Sequence, residues 1–183
     1  MSLLTLAEIE RLITSHEDFP SAGVLFRDIF PILQSPSATR SLVAHLVDWI
    51  KATAAERHVQ VDVVVGLDAR GFLFGPMIAQ ALQARFVPVR KQGKLPGKVL
   101  AHAYKKEYGT DVFEMHEGAI TPGQNVVIFD DLIATGGSAA AAAALVQASQ
   151  GNLLAALFVI ELTQLNGARA LPDNVKVHAL YKY

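Results

Sequence analysis

Hydrophobic positions follow two different textures along the chain. From Thr5 to about Ser15, Leu6, Ile9, Leu12 and Ile13 recur at helical spacing, and Thr5 followed by Glu8 fits a capping box, so the pattern predicts a helix. Between Asp18 and Ser35 no period holds, and Pro20, Gly23 and Pro31 interrupt the chain. A second amphipathic helix is predicted over Ser37–Glu56, with Leu42, Val43, Leu46, Val47 and Ile50 inward.

Beyond this point short apolar runs alternate with helical segments. Strands are predicted at Val61–Gly66, Phe86–Val89, Gln124–Phe129, Leu153–Leu162 and Val175–Tyr181, and helices at Gly71–Ala84 and Gly137–Ser149. Two of the runs, QNVVIF and LLAALFVIEL, are apolar at consecutive positions, as strands buried on both faces must be. Alternation of this kind predicts an α/β fold on a central parallel sheet flanked by helices. Residues Lys91–Pro122 break the rhythm. They are polar, and only Val99–Tyr104 and Val112–His116 alternate weakly, like a hairpin. A long polar excursion is either a functional loop or a plain surface hairpin. No repeat or linker divides residues 1–183, so one domain is the simplest reading.

Composition narrows the possible functions. The chain has 183 residues, 51% hydrophobic and 18% charged, which suits one domain with a sizeable core. A formal net charge of −1 argues against bulk attraction to nucleic acid or anionic lipid. With no cysteine there is no disulfide framework, thiolate zinc site or thiol nucleophile. No apolar stretch reaches the ~18–20 residues of a membrane span, and MSLLTLAEIE lacks the basic start of a secretory signal. The expectation is a soluble cytoplasmic protein. The six histidines fall at no metal-ligand spacing, so no protein-ligated metal site is expected.

The most informative stretch is VVIFDDLIATGGS, Val126–Ser138. An apolar strand reads as ending in two acids, followed by a short turn and an alanine-rich helix. Ligands of open α/β sheets sit beyond the carboxyl ends of the strands. Glycines let backbone N–H groups approach an anion, and a helix N-terminus offers free donors and the positive end of its dipole. Thr135 and Ser138 add hydroxyls. Two carboxylates would repel a polyanion, but they can accept hydrogen bonds from sugar hydroxyls while the turn holds a phosphate. Ribose 5-phosphate offers both groups. Neither a Walker P-loop nor a G-x-G-x-x-G fingerprint occurs.

This stretch resembles the phosphoribosyl-diphosphate motif of type I phosphoribosyltransferases. EDFPSAGVLFRDI (Glu17–Ile29), GLDARGFLFGP (Gly66–Pro76), VPVRKQGKLPG (Val87–Gly97) and KEYGTD (Lys106–Asp111) are similar, in order, to signatures of the adenine phosphoribosyltransferase family. The resemblance implies the type I fold, with a small N-terminal hood over residues 1–35 and a flexible catalytic loop over residues 95–117. It implies transfer of the phosphoribosyl group from 5-phosphoribosyl 1-diphosphate to adenine, giving AMP and pyrophosphate in purine salvage. It also implies Mg²⁺ carried mainly on substrate oxygens, and a homodimer.

Residue roles follow from the same resemblance. Asp130 and Asp131 would hold the ribose hydroxyls, and Ala134, Thr135, Gly136, Gly137 and Ser138 the 5′-phosphate. Asp68, Ala69 and Arg70 would form the pyrophosphate loop, with a cis peptide bond at Asp68–Ala69. From its chemistry alone Arg70 can bind phosphate bidentately. The basic cluster Arg90, Lys91 and Lys94 would neutralise the leaving pyrophosphate, with Arg90 reaching a neighbouring subunit, although a charge run can equally be a solvated face. Glu107 would be the catalytic loop's acid, stabilising positive charge or managing a purine proton, with Tyr108 supporting closure. Phe26 and Arg27 would contact adenine, with Leu162 as an apolar lid. Without the resemblance, Phe26 reads as a core residue. Ser138 stands where many members carry threonine, and Ala69 where some carry serine. A different base is disfavoured by DFPSAGVLFRD, and a nucleotide-sensing regulator by the absence of a basic surface.

Overall fold

The computed structural model describes residues 2–106 and 109–183. The chain forms two compact units, Met1–Leu46 and Val47–Tyr183.

In the first unit, α1 (Leu6–Glu10) starts at the predicted capping box: Thr5 Oγ1 accepts from Glu8 N–H at 3.3 Å, and Glu8 Oε2 accepts from Thr5 N–H at 2.8 Å. The helix is shorter than its periodicity suggests. Thr14–His16 instead forms β1, paired antiparallel with β2 (Phe26–Asp28). β-Branched Ile13 and Thr14 suit extended backbone, and the pairing with β2 outweighs the weak helical pattern. The stretch without a period thus holds a strand and also a short helix, α2 (Phe30–Leu33), whose first N–H is accepted by Asp28 Oδ1 at 2.9 Å. The Phe19–Pro20 peptide bond is cis. The long helix α3 (Pro36–Glu56) begins in this unit. Ser41 Oγ accepts from Leu4 N–H at 2.9 Å and His45 Nε2 donates to Leu4 O at 2.8 Å, which ties down the chain's start. Leu42, Leu46, Val47 and Ile50 are buried as predicted, and Val43 is half-buried.

The second unit is built on seven strands: β3 (Val63–Leu67), β4 (Arg85–Lys91), β5 (Val99–Lys106), β6 (Gly109–His116), β7 (Asn125–Ile133), β8 (Asn152–Glu161) and β9 (Lys176–Lys182). Their order across the sheet is β5-β6-β4-β3-β7-β8-β9. β4, β3, β7, β8 and β9 are parallel neighbours. The polar excursion supplies the hairpin β5–β6, added antiparallel through Arg90↔Glu114 and Lys91↔Phe113, so the sheet is mixed rather than wholly parallel. The excursion also contributes to the core, since Tyr104, Phe113 and Met115 are buried.

Alternation along the strands separates two faces. Val63, Val65 and Leu67 point into a cluster with the buried alanines of α5 (Gly137–Ala148), together with Tyr104 and Phe113. The small side chains of Ala139, Ala141, Ala142 and Ala143 are buried in this cluster and let the helix lie close to the sheet. The opposite face receives α4 (Gly71–Leu82), where Phe74 meets Phe129 edge-on at 6.3 Å. Gly66 and Gly75 accommodate the Phe86 ring, which would stand 2.6 Å from a Cβ at either position. Trp49 of α3 stacks on His178 of β9, with centroids 4.5 Å apart. No helix among the described residues is long and apolar enough to cross a membrane.

Candidate active site

The site forms where β7 meets α5. The strand does not end at the two acids, as the sequence suggests. Its ladder with β8 continues through Asp130↔Phe158, Leu132↔Ile160 and Ile133↔Glu161. Both acids therefore sit on a rigid strand, and the turn proper is Ala134–Gly136. Gly136 has φ +82°, a left-handed conformation that favours glycine, and caps α5 with no side-chain bond. Ala140 N–H donates to Gly136 O at 2.9 Å, and the first-turn amides before it are the ones a helix leaves without an acceptor of its own. Arg70 and residues 130–139 line a cavity of about 220 Å³ here, with Phe158 behind.

Arg70 reaches this cavity because α4 starts against β7. A Cβ on Gly71 would stand 2.8 Å from Phe129 O. The Arg70 Nε is 3.1 Å from Asp131 Oδ2, close enough for an ion pair but outside hydrogen-bonding angles, and that oxygen is buried with no hydrogen-bond partner. Asp131 N–H donates to Asp130 Oδ1 at 2.9 Å. Burial, followed by the adjacent Asp131 charge, holds the Asp130 carboxyl well above the ordinary range. Burial also raises Asp131, with Arg70 opposing it. The pair is costly to ionise fully without a ligand, and Asp131 Oδ2 is an acceptor lacking a donor.

The Asp68–Ala69 bond is cis, as the resemblance implies. Arg90 is turned toward its own chain: Nε donates to Asp68 Oδ2 at 3.0 Å, Nη1 donates to Lys94 O at 3.1 Å, and the guanidinium lies 6.0 Å from the Phe72 ring centroid. Lys91 Nζ stands 3.9 Å from Asp111 Oδ2 on β6, and Lys94 is exposed. The structure thus places Arg70 beside Asp131, and Arg90 beside Asp68. Glu107 and Tyr108 fall outside the described residues. Phe26 and Arg27 lie on β2 of the first unit, where Phe26 meets Phe19 edge-on at 5.1 Å and helps line a cavity of about 540 Å³. Leu162 follows β8 in the second unit, its N–H donating to Ile133 O at 3.0 Å.

Sequence reasoning missed two residues beside the turn. Ser138 Oγ donates to Tyr104 Oη at 3.5 Å, and Tyr104 Oη donates to Asp111 Oδ2 at 3.5 Å. The weak alternation of Val99–Tyr104 marks Tyr104 as strand, but nothing local says that it faces α5. Gly167 packs against the back of the turn, a contact without any local signature.

The family model of the phosphoribosyl transferase domain matches residues 36–161. Adenine phosphoribosyltransferase of Yarrowia lipolytica is 52% identical over 168 residues, 91% of each chain. The chain belongs to the adenine phosphoribosyltransferase family. Among solved structures, the family's Saccharomyces cerevisiae member, complexed with adenine and an imino-altritol bisphosphate, shares 45% identity at a TM-score of 0.89, covering 96% of this chain and 97% of that one. The Trypanosoma brucei adenine phosphoribosyltransferase, in complex with AMP, pyrophosphate and ribose-5-phosphate, shares 28% identity at a TM-score of 0.86, covering 96% of this chain and 78% of that one. The α/β fold expected of the family is the fold observed.

Proposed function

We propose that the protein transfers the 5-phosphoribosyl group from 5-phosphoribosyl 1-diphosphate to adenine, giving AMP and pyrophosphate in purine salvage. The observation that carries this reading is the β7–turn–α5 site: paired carboxylates, Asp131 buried and Asp130 half-buried, beside a helix N-terminus in one cavity, in a chain of this family. A ribose phosphate matches that arrangement group for group.

In this mechanism adenine N9 attacks C1′, the C1′–O bond to pyrophosphate breaks with inversion, and the N9 proton passes to Glu107 or to the departing pyrophosphate. Ala134, Thr135, Gly136, Gly137 and Ser138 hold the 5′-phosphate through amides and hydroxyls. Asp131 Oδ2 gains its missing donor from a ribose hydroxyl, and Asp130 accepts from the other. Asp68, Ala69, Arg70, Lys91 and Lys94 receive the pyrophosphate, with Arg90 steadying Asp68 or serving a second subunit. Phe26, Arg27 and Leu162 are assigned to adenine. Glu107 and Tyr108 act from the loop, Glu107 on the cationic sugar or the purine proton. Positioning and charge stabilisation supply most of the acceleration.

Among the described residues no three His, Cys, Asp or Glu side chains gather as a metal cage. Mg²⁺, when bound, would be carried mainly on diphosphate and ribose oxygens and would neutralise the diphosphate charge. A homodimer in the cytoplasm completes the reading. Incubated with adenine, phosphoribosyl diphosphate and Mg²⁺, the purified protein should release AMP and pyrophosphate in equal amounts, and Glu107→Gln should cut turnover without lowering the melting temperature. Absence of AMP sinks the reading, and a normal kcat in Glu107→Gln removes the residue from the chemistry.

A further inference from the structure

We propose that Leu162–Ala170 is a brace that sets the shape of the phosphate turn, with Gly167 as its positioning residue. The inference rests on the reading that this turn holds ribose 5-phosphate. Two glycines meet back to back behind the turn. A Cβ on Gly167 would stand 2.2 Å from Ala134 O, and a Cβ on Gly136 would stand 2.2 Å from Gly167 O and 2.8 Å from the Ala170 Cβ. The obstructing oxygens are backbone atoms, so no side-chain rotation relieves either contact. Any side chain at Gly167 must push the turn itself.

The brace is anchored at its base. Leu162 N–H donates to Ile133 O at 3.0 Å, and Thr163 donates twice to Tyr183 O, from N–H and from Oγ1, each at 2.8 Å. Two short 3₁₀ turns, Thr163–Leu165 and Gly167–Ala170, join at Asn166, whose φ of +51° bends the chain back toward the turn. Gly167 is the one buried residue in a largely exposed stretch. The same nine residues start at Leu162, the proposed adenine contact, so the brace connects the base-contacting residue to the back of the phosphate turn.

The amides of the turn must meet phosphate oxygens at hydrogen-bond distance, and a shift of about 1 Å there can cost on the order of 10²-fold in rate. The test uses the unmodified protein first. Hydrogen exchange is followed with and without ribose 5-phosphate, in the absence of any base. The brace requires slower exchange at residues 134–138 and also at 163–170. Protection confined to 134–138 overturns the brace while leaving the phosphate site intact. No protection at either segment overturns the phosphate assignment and the brace with it. In addition, Gly167→Ala should raise KM for phosphoribosyl diphosphate about tenfold or more, with a smaller change in kcat. Asp173→Ala, an exposed residue beyond the brace, should leave both unchanged. A Gly167→Ala enzyme with the parent's KM overturns the proposal, and should that variant not fold, the exchange experiment decides alone.

Discussion

Asp130 and Asp131 are held against their own chemistry. Two adjacent carboxyls on a buried strand bind protons more tightly folded than unfolded. Their contribution to stability is therefore present at low pH and is lost as pH rises above the ordinary carboxylate value of 3.8. Removing one charge should stabilise the empty protein: Asp130→Asn is expected to raise the ligand-free melting temperature at pH 7 by a few degrees. The gain over the parent should shrink as pH falls. The same variant should lose about 10- to 100-fold in kcat/KM, the scale of one charge-assisted hydrogen bond to substrate. A variant that melts lower at pH 7 would contradict the assignment. That these acids would lie beside the turn was legible in the sequence, because both stand within a few residues of it. Their protonation was not, since it depends on burial by distant residues. Nor was the partner of Arg70, which depends on α4 lying against β7 at Gly71.

At the scale of elements, period and breakers located every long helix and every strand of the parallel part of the sheet, although their ends shifted. The errors share a cause. Residues 14–16 and 26–28 are strands only because they pair with each other, and β7 passes its acids only because β8 continues beside it. Pairing across the chain leaves no local period to read. The capping box, by contrast, is local and was legible. Thr5→Ala should lower stability by about 1 kcal/mol in urea titration, and an unchanged midpoint would mean that α1 contributes nothing to cooperative unfolding. The Ser138–Tyr104–Asp111 chain ties α5 to the hairpin. Tyr104→Phe keeps the ring beside Phe113 and removes the hydroxyl, so KM for phosphoribosyl diphosphate should rise a few-fold with the melting temperature nearly constant. No change in KM would leave the hydroxyl without a role in the site.

Across the whole molecule, the sole tryptophan reports on the far edge of the sheet. Trp49 lies parallel to His178, with 6° between the ring planes. Burial, then the Lys182 charge, lowers the His178 pKa below 6.5. In the interval beneath 6.5 the unfolded chain binds the extra proton, so this contribution to stability is complete at neutral pH and fades on acidification. Trp49 emission should show a quenching step below pH 6.5 that His178→Asn abolishes; a step persisting in that variant would have another source. What the sequence conveyed at this scale was the family, through several motifs in order. The central claim is that this scaffold, with its N-terminal DFPSAGVLFRD segment, transfers phosphoribosyl to adenine in particular. A base panel tests it most directly. Protein, phosphoribosyl diphosphate and Mg²⁺ are mixed separately with adenine, hypoxanthine, guanine, xanthine and orotate, and nucleotide and pyrophosphate are followed together. The account predicts AMP and matching pyrophosphate from adenine alone. Equal or faster turnover of any other base would contradict it.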